Sequence, residues 1–309
     1  MKQQYKKNIF QRFSMPLDEL EIYYREQRKL HFEHKEPVHG IVWRKRLHPA
    51  LKGLLRILHK LNKQTILILK DQYIPTNRPL IYACTHIGHD DIEIISTAVR
   101  KHSFLFWGDP RENYRRLPGF FLYLKGVICC DTAVKSDRKI GKETCIKLLR
   151  QGGNLQIFPE GAWNITENLP VLPLFPGTAE MAIQTGAEIV PIAIEQYENN
   201  FLLCIGKNID GSRWDLSRKQ ELTDLLRDRL ATLKWNIWES MPVTKRETIP
   251  DHYRDTFIKQ IEEQTDDTYT IQDIRKACFH PKNITAPSDA FAHLSYLIPS
   301  RKNAFLLRN

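Results

Sequence analysis

The run "ACTHIGHDDIE" at residues 83–93 crowds a cysteine, two histidines and three acidic residues behind a short apolar stretch, "PLIYAC". Four readings fit these residue types. His86 and His89 with a neighbouring carboxylate are the ligand types of a metal site. Cys84 and His86, two apart, share one face of an extended strand and suit a thiolate–imidazole pair. His86 and Asp91 suit a base and its orienting acid. The fourth is a polar loop leaving a strand.

Spacing separates these readings. The HxHxDH run of metallo-β-lactamase-like hydrolases needs histidines where Gly88 and Asp91 stand, and ligands must converge at fixed distances, so a one-residue shift matters. The His89-Asp90 dipeptide is shared with HD phosphohydrolases, but those are all-helical and this segment leaves a strand. Cys84 ends an apolar strand, where cysteine usually behaves as a small buried hydrophobe. If the strand ends near Thr85 and a helix starts near Asp90, the turn folds Asp91 back beside the imidazole. Asp91 then accepts from Nδ1–H, and Nε2 is free to take a proton from a substrate hydroxyl. That is the base–orienter half of a triad with no protein nucleophile. Taken alone, a His-x4-Asp spacing arises by chance about half the time in a chain of this composition.

The elements that must hold these residues alternate between strand and helix. "TILILK" (65–70), "PLIYAC" (79–84), "SFLFWG" (103–108), "KGVICCD" (125–131) and "NLQIFPEG" (154–161) read as strands. Residues 91–101 and 136–153 read as helices, the second stopped by two glycines. Residues 175–194 read as helix, glycine stop and strand, and 214–238 as a long helix. The expected fold is α/β: a central mixed sheet flanked by helices, with N-terminal amphipathic helices and a helical C-terminal extension. The expected division is an N-terminal helical extension at 1–43, a core domain at 44–240 and a C-terminal extension at 241–309.

Composition narrows the class. With 309 residues, 42% of them hydrophobic and 27% charged, the chain is globular and can bury a sizeable core. Six cysteines without a CxxC or regular framework read as reduced thiols of a cytoplasmic protein. No run approaches the roughly 18–20 apolar residues that span a bilayer, so membrane contact is expected to be peripheral. The net charge of +10 points to an anionic partner. Residues 44–63, "RKRLHPALKGLLRILHKLNK", hold basic residues and no acidic ones. Leu47, Leu51, Leu54, Leu55, Leu58 and Leu61 recur there at helical spacing, with Lys52, Arg56, His59, Lys60 and Lys63 mostly elsewhere on the wheel. Such a helix either packs its stripe on the core or lies on anionic lipid. Aromatic stacking platforms and nucleic-acid-binding motifs are missing from it, and no nucleic-acid partner is expected.

His86-x4-Asp91 is followed by "GVICCD" (126–131), "FPEG" (158–161) and "IVPIAI" (189–194). In this order and separation the chain resembles the glycerolipid acyltransferases, the lysophosphatidic acid and glycerol-3-phosphate acyltransferases, over roughly residues 44–240. The resemblance implies that His86 is the general base and Asp91 its partner. They would move an acyl group from acyl-CoA or acyl-carrier protein to a lipid or polyol hydroxyl, with neither an acyl-enzyme nor a metal or other cofactor. Glu160 would hold an acceptor hydroxyl, Gly161 would allow close backbone approach, and Pro191 would shape a strand end. The basic segment 44–63 would dock the protein peripherally on the inner face of a membrane.

The departures are specific. Thr85 stands where the family usually has Asn, Thr132 where an acceptor-binding Arg is common, and Ala162-Trp163-Asn164 where Thr-Arg-Ser is common. Thr132, Trp163 and Lys125 therefore join Glu160 and Gly161 as the expected substrate-binding set, with Arg115, Arg116, Lys135 or Arg138 as other substitutes for the arginines. Trp163 suits stacking on an apolar or sugar face. Two alternatives remain open: a thioesterase or lipid hydrolase with water as acceptor, and a non-catalytic lipid-binding relative.

Overall fold

The computed structural model describes residues 7–8, 11–12, 14–88, 90–108, 118–166, 169–242, 244–264 and 270–281. His89, Arg115, Arg116 and residues 282–309 lie outside them. From residue 14 onward the first two helices are α1 (Leu17–Glu33) and α2 (Ile41–Leu61). The alternating part follows: β1 (Thr65–Asp71), β2 (Leu80–Cys84), α3 (Asp91–Ala98), β3 (Phe104–Gly108), α4 (Pro118–Lys125), β4 (Val127–Cys130), α5 (Lys135–Arg150), β5 (Leu155–Ile157), α6 (Gly177–Thr185) and β6 (Glu188–Tyr197). After it come β7 (Asn200–Ile205), β8 (Ile209–Asp210), α7 (Lys219–Glu239), α8 (Tyr253–Gln264) and α9 (Ile271–Ala277).

The sheet is mixed, as expected. Its order is β1-β7-β6-β2-β5-β3-β4, with β8 added beside β6. Strands β6, β2, β5, β3 and β4 run parallel, whereas β7 pairs antiparallel with β6 and parallel with β1. Strand β2 is central and buried at all five residues, which explains its unbroken apolar run. Its side chains alternate between two cores. Ile81 and Ala83 join Leu149 of α5, Met181 and Ala182 of α6 and Leu226 of α7. Leu80, Tyr82 and Cys84 join Ile94 and Ile95 of α3. Residues 1–278 form one compact unit, so α1, α8 and α9 belong to the same body as the sheet.

Several boundaries differ from the sequence expectation. Helix α3 stops at Ala98, because Val99 turns extended to enter the next strand. Strand β5 ends at Ile157, three residues before Glu160, and the long helix expected from 214 starts at Lys219 behind two short 3-10 turns. The β6–β7 hairpin and α4 were not anticipated. The Gly186 stop is present, with φ +65° in the left-handed region that ends α6 and releases the chain into β6.

The basic helix carries the largest surprise. The six leucines do not form one buried stripe. Arg44, His48, Leu51, Leu55 and His59 face inward, where α2 lies against α3 and α4. Leu54, Leu58 and Leu61 are exposed at 50%, 42% and 72%, together with Ile57 at 59%. Polar bonds to main-chain carbonyls hold the inner face: Arg44 donates twice to Tyr123 O, and Lys52 donates to Val99 O.

Candidate active site

Strands β2, β5, β3 and β4 are parallel, so their carboxyl ends open along one edge of the sheet, where α/β proteins commonly build sites. His86 leaves the end of β2. The turn that follows folds back, and Asp91, the first residue of α3, comes to lie beside the ring. Asp91 Oδ2 accepts from His86 Nδ1 at 2.8 Å, from Ile87 N at 2.7 Å and from Gly88 N at 3.2 Å. Three donors thus meet on one carboxylate oxygen. They also set the imidazole with its Nδ1 on Asp91 and its Nε2 directed elsewhere. The Asp91 side chain is 1% exposed and that of His86 18%. The imidazole is the more accessible of the two, with the carboxylate behind it.

The segment after β5 wraps His86 from the other side. Phe158 stacks on the imidazole with ring centroids 4.1 Å apart, and Trp163 meets it edge-on at 6.1 Å. Glu160 Oε1 accepts the main-chain N–H of His86 at 3.0 Å, and Glu160 Oε2 accepts that of Leu172 at 2.8 Å. Asn164 N–H closes the cradle by donating to His86 O at 2.8 Å. Both polar groups of the His86 backbone are thus held by residues 158–164, and Asp91 and Phe158 contact its ring at one edge and one face.

Each expected site residue can now be located. Glu160 is fully buried, with both carboxylate oxygens on main-chain N–H groups, so it sits behind His86 rather than on an open surface. Burial pushes its pKa up to about 7, against the downward pull of the two N–H groups. Gly161 has φ +73°, and a Cβ there would collide with the Phe175 ring, so only glycine suits the turn. Trp163 is 7% exposed and packed in a small core with Ile261, Ile271 and Ile274. That burial leaves little face for the sugar stacking expected of it. Lys125 is buried, donating to Ser103 O and Oγ, and burial lowers its pKa to about 7. Thr132 is exposed at the end of β4, where its carbonyl accepts from the Arg138 guanidinium. Three strand spacings separate that end from β2, roughly 14 Å. Asp131 beside it is buried and paired with Arg25 of α1 at 3.0 Å. Pro191 lies within β6, opposite Ala83 of β2.

The competing readings of the opening run fare unequally. Burial and the nearby Asp91 raise the Cys84 thiol pKa well above its ordinary value, which disfavours a thiolate. Among the described residues no three metal-ligating side chains converge. Thr85 is a structural latch: its Oγ accepts Ile194 N–H at 3.0 Å, tying the end of β2 to β6. Sequence reasoning passed over Phe158 and Asn164 as partners of His86. Their signal was proximity to Glu160 in the chain, since residues flanking a group that grips His86 must also lie near it.

Comparison with known proteins finds three likenesses. The family model described as Acyltransferase matches residues 65–195. A 1-acyl-sn-glycerol-3-phosphate acyltransferase of Borreliella burgdorferi is 26% identical over 182 residues, covering 54% of this chain and 66% of that protein. The chain thus spans just under two thirds of that relative. The crystal structure of PlsC, the 1-acyl-sn-glycerophosphate (LPA) acyltransferase of Thermotoga maritima, aligns with a TM-score of 0.51 and 16% identity over 74% of this chain and 95% of that one. At such identity the likeness is one of fold. The segment that matches the Acyltransferase model carries the His86–Asp91 pair and Glu160, and the chain is similar there to the glycerolipid acyltransferases.

Proposed function

We propose that this protein transfers a fatty acyl group from a thioester, acyl-CoA or acyl-carrier protein, to a hydroxyl of a lysophospholipid or related acceptor. The reading rests above all on the 2.8 Å contact between His86 Nδ1 and Asp91 Oδ2 at the carboxyl edge of a parallel sheet. The printed activities of the Borreliella relative and the Thermotoga neighbour support it. In the proposed step His86 Nε2 takes the acceptor hydroxyl proton as that oxygen attacks the thioester carbonyl. The imidazolium is stabilised by Asp91. The tetrahedral oxyanion collapses, the C–S bond breaks, and the thiolate leaves with the proton that His86 returns. The products are one ester and one free thiol, with no acyl-enzyme on the path.

Peripheral attachment to an anionic membrane is the second part of the proposal. From residue 37 to residue 70 the sequence contains no Asp or Glu. Within it, α2 turns Leu54, Ile57, Leu58 and Leu61 outward. Edge strand β1 follows, exposing Leu67, Ile68 and Leu69 at 51%, 39% and 38%. Its register shifts between Ile68 and Lys70, and a bulged edge is poorly suited to pairing with another strand. Exposed apolar residues set among Lys and Arg suit an interface of acyl chains and anionic headgroups. No helix of the described residues is long and apolar enough to cross a membrane.

The test is direct. Purified protein is incubated with labelled acyl-CoA or acyl-carrier protein and a total lipid extract, and the product is identified by mass spectrometry. Label in an ester lipid is the expected result. Label only in free fatty acid would instead make water the acceptor.

A further inference from the structure

We propose that Trp163 is a positioning residue for His86 and that the helical pair α8–α9 holds it in place. The inference takes from the preceding section only the reading of His86 as the base.

The His86 ring is tied at one edge, Nδ1 to Asp91, and lies flat on Phe158 at an interplanar angle of 21°. A stacked ring still has freedom to slide and tilt across the face beneath it. Trp163 stands against His86 at an interplanar angle of 80° and blocks that movement. Trp163 works as a stop only if it cannot move itself. Its restraint comes from a separate small core: Ala162 and Trp163 pack with Ile261 of α8 and Ile271 and Ile274 of α9, flanked by Phe257 and Ile258. The pair also closes over the turn, because the carbonyl of Ala277 lies 3.5 Å from the place of a Gly161 Cβ.

Helix α9 is well defined at its start. Thr270 and Asp273 form a reciprocal capping box, the Thr270 side chain accepting Asp273 N–H and the Asp273 carboxylate accepting Thr270 N–H. Ile274, one residue on, is fully buried against the Trp163 core. All these α8 and α9 residues lie well beyond residue 195, where the match to the family model ends. The C-terminal helices are therefore this chain's own buttress for a base contributed by the matched segment. A ring displaced by a fraction of an ångström would present Nε2 poorly to a hydroxyl, and such errors are costly to rate.

The measurement follows the His86 Nδ1–H proton by NMR in the full-length protein, assigned by its loss in the His86→Gln variant. Its exchange with water reports how firmly the ring is held, whether or not the protein turns over. Trp163→Ala is expected to speed that exchange about tenfold, with a fall in kcat and little change in KM. Ile274→Ala, remote from the ring, should act in the same direction. Trp163→Phe and Ile274→Val should keep exchange slow. Unchanged exchange in both alanine variants, even with a lowered Tm, would overturn the proposal, as would absence of the signal from the wild-type protein. Faster exchange in the alanine variants of a protein without acyl transfer would support the positioning role and defeat the functional reading alone.

Discussion

The cradle around His86 and the outer face of α2 solve opposite problems with the same kinds of residue. In the cradle, acidic side chains are driven inside: the carboxyls of Asp91 and Glu160 are buried and receive main-chain N–H donors. On α2 the arrangement is turned round. Arg44, His48 and His59 face the protein while Leu54, Ile57, Leu58 and Leu61 face out. A buried carboxylate without donors is costly, so the first region admits few alternatives. Exposed leucines carry no such constraint in water, and their placement has a physical rationale once a lipid phase is their second solvent. The comparison separates a region whose geometry is fixed by buried polar groups from one whose exposed apolar face fits the proposed membrane contact.

Breaking the cradle should have the largest effect. Asp91→Asn keeps size and shape but disturbs the tautomer of His86, and acyl transfer should fall roughly a thousandfold or more with binding retained. Steady-state kinetics with separate kcat and KM values checks this. Next comes a contrast within α2. Leu55→Ala opens a cavity on the inward face and should lower unfolding free energy by about 3 kcal/mol. Leu61→Ser, on the exposed face, should stay within about 0.5 kcal/mol. Equal losses in denaturant titrations would erase the distinction between the two faces. Replacing Arg56, Lys60 and Lys63 together by Ala should weaken binding to anionic vesicles about a hundredfold, at roughly 1 kcal/mol per charge. The loss should shrink as salt is raised. Unchanged vesicle binding would remove the adhesive role.

The smallest expected effect concerns Glu160. Its pKa in the folded protein is raised by burial from 4.5 to about 7. Between those values the folded chain binds a proton that the unfolded chain does not. Its contribution to stability is therefore full below pH 4.5 and is lost as pH rises through about 7. Glu160→Gln should flatten the pH dependence of unfolding free energy between pH 5 and 8 by on the order of 2 kcal/mol. An identical slope in both proteins would show that the carboxyl is not held as described.

How far these regions could be read from the sequence differs for physical reasons. His86 and Asp91 were legible because a strand end, a short turn and a helix start leave a carboxylate at i+5 few places to go. The sheet was legible wherever a strand is buried on both faces, as β2 is. The β6–β7 hairpin was missed although Asn199 and Asn200 precede the apolar run "FLLCI", a turn signal that went unused. The orientation of α2 was not legible at all. Periodicity reports that leucines share a stripe, whereas the polar bonds of Arg44 and Lys52 to Tyr123 O and Val99 O choose the face turned inward. Trp163 was noticed as a departure, but its surroundings come from α8 and α9, about a hundred residues downstream. Contacts at that separation leave no local pattern.

The central claim is that an acyl group passes directly from the thioester to an acceptor hydroxyl, with His86 as the general base. The most direct measurement incubates wild-type and His86→Ala protein, shown to be equally folded by circular dichroism, with labelled acyl thioester and lipid acceptor. Label is then followed in ester lipid, in free fatty acid and on the protein. The account predicts label in ester lipid with the wild-type protein, none bound covalently to the chain, and loss of transfer in His86→Ala. Full transfer by His86→Ala, or a covalently labelled wild-type chain competent to pass its label to the acceptor, would contradict it.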